Sequence, residues 1–322
     1  MTLPADVEQA ESLSGEFAEA VVAGLSQRHK HIPCRFLYDA RGSALFEEIT
    51  RLDEYYPTRT ELGLLNAHGS EIASRAGTGC AVVEFGSGSS RKTHILLEHM
   101  DKAAAYVPVD IDSEALTKAS ARLKARFPEL PVHPVHADFS QHIDLPREIE
   151  NAPKLGFFPG STIGNFETEA AVEFLANAGE LLGAGSDLLI GADLQKDLDI
   201  LLPAYDDAKG VTADFTLNLC HRINRELEGD LDMTQFAHAA IYNDEIGRIE
   251  IYIESLIDQE AEILGHRFSL RKGERVHVEN SHKYTVPQFH DLVREAGWRP
   301  EQVWTDGDCL FSLHYLTRAE SA

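Results

Sequence analysis

The stretch EFGSGSSRK carries two glycines, Gly86 and Gly88, between an apolar run and a polar one. Glycines in that place allow a tight turn and a close approach of backbone to a ligand. Asp110 stands 22 positions beyond Gly88, where a carboxylate can accept both hydroxyls of a ribose. Asp138 and Phe139, in HADF, pair an acid able to take an adenine amino proton with a ring able to cover the base. A dinucleotide site asks for a third glycine, where the first helix packs beside a pyrophosphate, and Arg91 occupies that position. A ribose and an adenine without a diphosphate describe S-adenosylmethionine. Singly, each residue has a plainer use: the glycines as a generic strand-to-helix turn, either acid as a cap or turn residue. Jointly they favour the nucleoside. Asn165, in GSTIGNF, offers one acceptor and two donors where many methyltransferases meet the methyl acceptor. It can equally be a turn residue or the cap of a helix starting near Thr168.

These residues fall at the ends of elements that alternate from Cys80 to Asp193. CAVVEF, AAYVPVDID, PVHPVHADF, KLGFFPGSTIGNF and SDLLIGAD have strand character, and SSRKTHILLEHMD, SEALTKASARLKARF and TEAAVEFLANAGELL have helical spacing, the last ending at Gly183. That rhythm predicts an α/β fold with a doubly wound parallel sheet, whose ligands bind at the carboxyl ends of the strands. The flanks differ. Residues 10 to 60 are helical and turn-like, with aromatic clusters, and the region after Asp193 gives helical segments and then the strands GRIEIYIESL and EAEILGHRFSL. The helix TVPQFHDLVREAGW and the strand CLFSLHYLTRA close the chain and return to the sheet. The expected plan is a core of 61–196 and 287–322, with 1–60 and 197–286 forming a second, smaller α+β lobe. Clefts between lobes are where small ligands bind.

With 53 acidic against 29 basic residues, the net charge of −24 repels phosphate backbones and anionic lipid. Neither nucleic acid nor membrane is expected as a partner. The N-terminus is acidic without an apolar signal-like core, and no run approaches the roughly 20 apolar residues of a membrane span. Cys34, Cys80, Cys220 and Cys309 are scattered and are expected as free thiols of a cytoplasmic monomer. His133, His136 and His142 are close in sequence but lack the facing spacing of a ligand set, so no metal is expected.

Beyond these separate signals, the blocks FLYDARGSALFEEITRLDEYYPTRTE, EFGSGSSRKT, GSTIGNF, AYDDAKGVTADF and NRELEGDLD closely resemble the histidine-specific N-alpha-methyltransferases of ergothioneine biosynthesis, from about Leu25 to the end of the chain. The resemblance implies a Rossmann-like class I methyltransferase core with a substrate-binding lobe. It implies an S-adenosylmethionine-dependent enzyme that places three methyl groups on the alpha-amine of L-histidine to give hercynine. It further implies cofactor contacts from Tyr38, Gly86, Lys92, Asp110, Asp138 and Phe139, and contacts to the amino-acid end of the substrate from Tyr55, Asn165 and Tyr205. Tyr38 and Asn165 would then stand nearest the chemistry. Glu279 and Ser281, in VENSHKY, would meet the imidazole, whose two ring nitrogens suit one acceptor and one hydroxyl. Without the resemblance, that stretch reads as solvated loop or strand edge. Ile251 departs from the family, which commonly carries methionine there. Isoleucine is stiffer and β-branched, so a pocket of different shape is expected.

Methyl transfer to an amine is an in-line displacement that needs positioning more than a strong base. Three rivals share parts of these signals: an N-methyltransferase of a tryptophan-derived amine, a non-catalytic S-adenosylmethionine-binding protein, and a nicotinamide oxidoreductase. Glu279 with Ser281 opposes the first, since an indole has one donor and no acceptor. The set Tyr55, Asn165 and Tyr205 opposes the second, and Arg91 the third.

Overall fold

The computed structural model describes residues 5–88, 91–139 and 143–318; Ser89, Ser90 and His142 lie outside the described residues. The chain forms two compact units, one of Met1–Tyr55 with Asp197–Asn280 and one of Tyr56–Lys196 with Ser281–Ala322, called unit 1 and unit 2. In chain order the strands are β1 (Ala81–Phe85), β2 (Ala105–Asp110), β3 (Val135–His136), β4 (Lys154–Phe158), β5 (Asp187–Asp193), β6 (Phe236–Asn243), β7 (Arg248–Ser255), β8 (Gln259–Ile263), β9 (His266–Leu270), β10 (Arg275–His282), β11 (Trp298–Thr305) and β12 (Phe311–Arg318).

Unit 2 is built on a seven-stranded sheet in the order β11-β12-β5-β4-β1-β2-β3. β1 pairs in parallel with both β2 and β4, β4 in parallel with β5, and β12 antiparallel with β5 and β11. β1 is buried along its whole length, which is why AVVEF reads as a continuous apolar run rather than an alternating one. Val83, Phe85, Phe158 and Ile190 face a core shared with helices Thr168–Leu182 and Val286–Glu295, while Val82, Leu155 and Leu189 face one shared with helices Tyr56–Ala76 and Arg91–His99. This is the doubly wound class I methyltransferase architecture. The sheet grows from β1 first toward β3 and then toward β5, so the carboxyl ends of β1 and β4 flank its switch point. The third strand is shorter than PVHPVHADF suggests, because Pro131 and Pro134 have no N–H to give a ladder; only Val135 and His136 pair, with an isolated bridge from Val132 to Tyr106.

Unit 1 carries helices Ala5–Leu25, Ala40–Ile49 and Val211–Glu226, a sheet ordered β10-β7-β6 and a two-stranded ribbon of β8 and β9. Ile249, Ile251 and Ile253 form the buried face of β7, and helix Val211–Glu226 packs on β6 and β7. Asp207 accepts from the backbone of Lys209, Val211 and Thr212 and so starts that helix, while Asp39 starts helix Ala40–Ile49 by accepting from Gly42 N at 2.8 Å. EAEILGHRFSL, expected as one strand, is a hairpin: Leu264 and Gly265 both adopt left-handed conformations and turn the chain. No helix among the described residues is long and apolar enough to cross a membrane, and all four cysteines are free.

Candidate active site

At the carboxyl edge of the unit 2 sheet, Gly86 turns with φ +74° directly after β1. A side chain there would be strained, and its Cβ would meet the Phe139 ring at 3.4 Å. Asp110 closes the turn. Its carboxylate accepts from Gly88 N at 3.0 Å and Ser87 Oγ at 3.4 Å on one oxygen and from Asp112 N at 3.0 Å on the other. Phe139, following half-buried Asp138, packs edge-on against Phe85, Phe158 and Phe174. The ends of β1, β2 and β3 thus gather a tight glycine turn, an acceptor-only carboxylate and an aromatic face. These suit a ribose diol and a base, and nothing in the set calls for a diphosphate. Lys92, the second residue of helix Arg91–His99, pairs with Glu61 at 2.6 Å, and fully buried Glu61 also accepts from Gly160 N at 2.9 and 3.0 Å.

The loop after β4 is equally constrained. Ser161 adopts φ +57° and its Oγ accepts from Asp193 N at 2.9 Å. Gly164 lies so close to His282 that a Cβ would sit 3.0 Å from that residue's carbonyl oxygen, so a larger side chain would make the backbone there give by a few tenths of an ångström. Asn165 ends the short 3-10 turn Thr162–Asn165 that these two residues fix.

Beside it lies a cluster that single-residue reasoning missed. The buried Asp193 carboxylate takes Lys196 Nζ at 2.6 Å, Lys283 Nζ at 2.8 Å and the Tyr56 hydroxyl at 2.8 and 2.9 Å. Lys196 also donates to Tyr56 Oη at 2.6 Å and to the Leu194 carbonyl, and Lys283 donates to Ser281 Oγ at 2.6 Å. Burial pulls the Lys196 ammonium down to about 8, with Asp193 resisting and Lys283 adding to the fall. The available signal was an acid closing the fifth strand with a lysine three residues on; Lys283 and Tyr56 had none.

Unit 1 gathers the aromatic residues of the expected substrate end. The Tyr38 ring stands 5.6 Å from Phe46 and 5.3 Å from Phe215, Phe46 stands 6.2 Å from Tyr55, and Tyr55 stands 6.3 Å from Tyr205. Burial holds the Tyr38 hydroxyl protonated well above the usual range, and Glu279, Cys34, Tyr55 and Tyr205 push the same way. Burial and then Glu279 also raise the Cys34 thiol, to about 12. Glu279 therefore sits within electrostatic reach of Tyr38 and Cys34. His238 fixes the Tyr205 backbone, its Nε2 meeting the carbonyl at 2.8 Å while Nδ1 meets Thr216 Oγ1 at 3.0 Å. Ile251 lies on the apolar face of β7, opposite Ala240 of β6. His136 Nε2 bonds the Ile111 carbonyl, and among the described residues no group of three or more His, Cys, Asp or Glu could hold a metal ion.

A family model described as histidine-specific, SAM-dependent methyltransferase matches residues 17–318. The chain is 38% identical over 314 residues to histidine N-alpha-methyltransferase of Mycolicibacterium smegmatis, covering 96% of this chain and 97% of the relative. It is 31% identical over 301 residues to ergothioneine biosynthesis protein 1 of Neurospora crassa, covering 90% of this chain and 33% of that longer protein. A solved structure described as a possible exported protein from Bordetella parapertussis shares the fold with a TM-score of 0.51 at 14% identity, covering 98% of each chain.

Proposed function

Since the chain belongs to the family of histidine-specific, S-adenosylmethionine-dependent methyltransferases, we propose that it trimethylates the alpha-amine of L-histidine to give hercynine, a step of ergothioneine biosynthesis. The observation that supports the substrate reading is the aromatic group that links Tyr38, through Phe46, to Tyr55 and Tyr205 in unit 1, with Glu279 within electrostatic reach of Tyr38. A carboxylate suits an imidazole N–H, and aromatic faces suit an amine that gains methyl groups and a fixed positive charge. S-adenosylmethionine, when bound, supplies a methyl group on a sulfonium leaving group.

The chain's own residues then bind and orient. In unit 2, Gly86 gives close backbone approach, Asp110 accepts from the ribose, Asp138 from the adenine amino group, and Phe139 covers the base. Lys92 has three donors, one of them held by Glu61, and the others can serve the anionic end of the donor molecule. Asn165, Tyr55 and Tyr205 hold the amine and carboxylate of histidine, with Tyr38 beside the amine. An amine with a reference pKa of about 7.7–8.0 is partly neutral near physiological pH, so orientation suffices without a dedicated base. Glu279 and Ser281 read the ring, and Ile251 shapes an apolar wall. A cytoplasmic monomer acting on small molecules completes this reading, in keeping with the net charge of −24.

Mass spectrometry of histidine incubated with enzyme and S-adenosylmethionine tests it. The end product should carry three added methyl groups, all on the alpha-nitrogen by NMR. Accumulation of ring-methylated histidine would overturn the assignment.

A further inference from the structure

Glu61 is a fully buried carboxylate that takes no part in the proposed methyl transfer. It sits in the second turn of helix Tyr56–Ala76, and β5 leaves room for it: a Cβ on Gly191 would lie 2.3 Å from Glu61 Oε1. Its Oε2 takes Lys92 Nζ at 2.6 Å, and its two oxygens accept from Gly160 N at 3.0 and 2.9 Å. One carboxylate therefore fixes the ammonium of the helix after β1 and the start of the loop after β4. Gly160 also walls that ammonium in, since a Cβ there would stand 3.0 Å from Lys92 Nζ. Stability alone does not account for the pair, because replacing a buried ion pair by well-packed apolar groups is often neutral or stabilising. Nor is the dependence mutual. The Lys92 side chain keeps 19% exposure while Glu61 has none, so the lysine without its partner is free to swing into water.

We infer that Glu61 is a positioning residue for cofactor recognition, which holds the Lys92 ammonium where it meets the carboxylate at the amino-acid end of S-adenosylmethionine. An ammonium has three donors, and anchoring one of them on Glu61 orients the other two. Placement matters here more than charge. The amino-acid end of the ligand is a zwitterion, so a nearby negative charge attracts its ammonium and repels its carboxylate, and the two effects largely offset. A lysine without its anchor has to be ordered when the ligand arrives, and Glu61 removes that side-chain entropy cost beforehand. The inference rests on the proposed reading of Lys92 as a cofactor contact.

The test is calorimetric binding of S-adenosylhomocysteine and of 5′-methylthioadenosine to the full chain. The second ligand keeps the adenosine and the sulfur but lacks the amino-acid end. The ratio of the two affinities therefore reads the contact at that end, whereas a general disturbance of the fold lowers both together. Glu61→Asp keeps the charge but draws the carboxylate back by one methylene, away from Lys92 and Gly160. Glu61→Gln keeps the reach but gives the ammonium an uncharged, weaker partner. Each should weaken S-adenosylhomocysteine by about 3- to 10-fold and leave 5′-methylthioadenosine within about twofold of the wild type. The double variant Glu61→Gln with Lys92→Met, which leaves no unpaired charge, should lose about 10- to 100-fold for S-adenosylhomocysteine alone. Should one single variant fail to fold, the other carries the same expectation. Wild-type preference in either single variant, beside a double variant that has lost it, would overturn the positioning role while leaving Lys92 as a cofactor contact. Equal losses for both ligands in the single variants would make Glu61 structural and overturn it too. A double variant with wild-type preference would remove the reading of Lys92, and this inference with it.

Discussion

In each unit a carboxylate bears on a tyrosine hydroxyl, by direct hydrogen bond in unit 2 and through its field in unit 1, and the two are treated in opposite ways. In unit 2 the Tyr56 hydroxyl donates to Asp193 while two ammonium groups neutralise that carboxylate. In unit 1 the field of Glu279 falls on neutral groups, adding to burial in holding the Tyr38 phenol and the Cys34 thiol protonated. A carboxylate matched to cations inside the protein is architecture, and its loss should be felt in stability. A carboxylate whose neighbours are kept as neutral donors suits a ligand, and its loss should be felt in selectivity.

The sharpest way to break the comparison is Asp193→Ala. Two buried ammonium groups would lose their counter-charge, and removing one partner of a buried ion pair costs about 3–5 kcal/mol. Urea unfolding should show a loss of that size. A midpoint like that of the wild type would mean the cluster is not structural.

Glu84 sharpens the contrast as another buried carboxylate, met by the hydroxyls of Thr93 and Tyr106. Burial pushes it up to about 8, although both hydroxyls and Lys92 oppose the rise. The folded state therefore keeps a proton that the unfolded chain, with a model value of 4.5, releases. Its contribution to stability is full below the unfolded value and drains away as pH rises through the folded one. Glu84→Gln keeps the shape without the titration. The thermal midpoint of the wild type should fall relative to this variant between pH 5 and pH 8, whereas parallel curves would refute the shift.

Glu279→Ala should act on the other side of the comparison. Losing a charge-assisted hydrogen bond of roughly 1.5–3 kcal/mol should cut kcat/KM for histidine by about 10- to 100-fold. Affinity for S-adenosylhomocysteine should barely change, and the ratio of tryptophan to histidine turnover should rise. Joint loss of both affinities would make Glu279 structural. Ile251→Met is the companion with the smallest expected effect, since it exchanges one apolar side chain for another of similar volume. A large gain for histidine would show that wall shape, rather than Glu279 and Ser281, limits selection.

The sheet core was legible because its signals are local. AVVEF and AYVPVD are uninterrupted apolar strands, and TEAAVEFLANAGELL has one apolar face. β6 was not, because FAHAAIYN is half-buried almost throughout and lacks strong alternation, and neither was β11, where Pro300 and a register shift sit in a polar edge strand. The glycine turn, Asp110 and Phe139 could be named from spacing along one sheet edge. The Asp193 cluster could not, since Tyr56 reaches Asp193 across 137 positions and Lys196 across 140, and no periodicity spans such distances. Ser281 and Glu279 were visible only through family resemblance, because alternate polar residues on a strand have no signature that separates a solvated edge from a buried one.

The chain passes between the units at three places, and the residues on the unit 2 side of those passages are Tyr56, Lys196 and Ser281, the last two positions before Lys283. Tyr56, Lys196 and Lys283 all bind Asp193. The long insertion that begins at Asp197 therefore leaves and re-enters unit 2 at two ends held by one carboxylate. A loop whose ends are already fastened adds little closure entropy when it lengthens, only about 0.6 kcal/mol per doubling. Such a clasp ties the departure and the return of the inserted segment to one buried charge, so the two ends are held by unit 2 itself, whatever the segment's length.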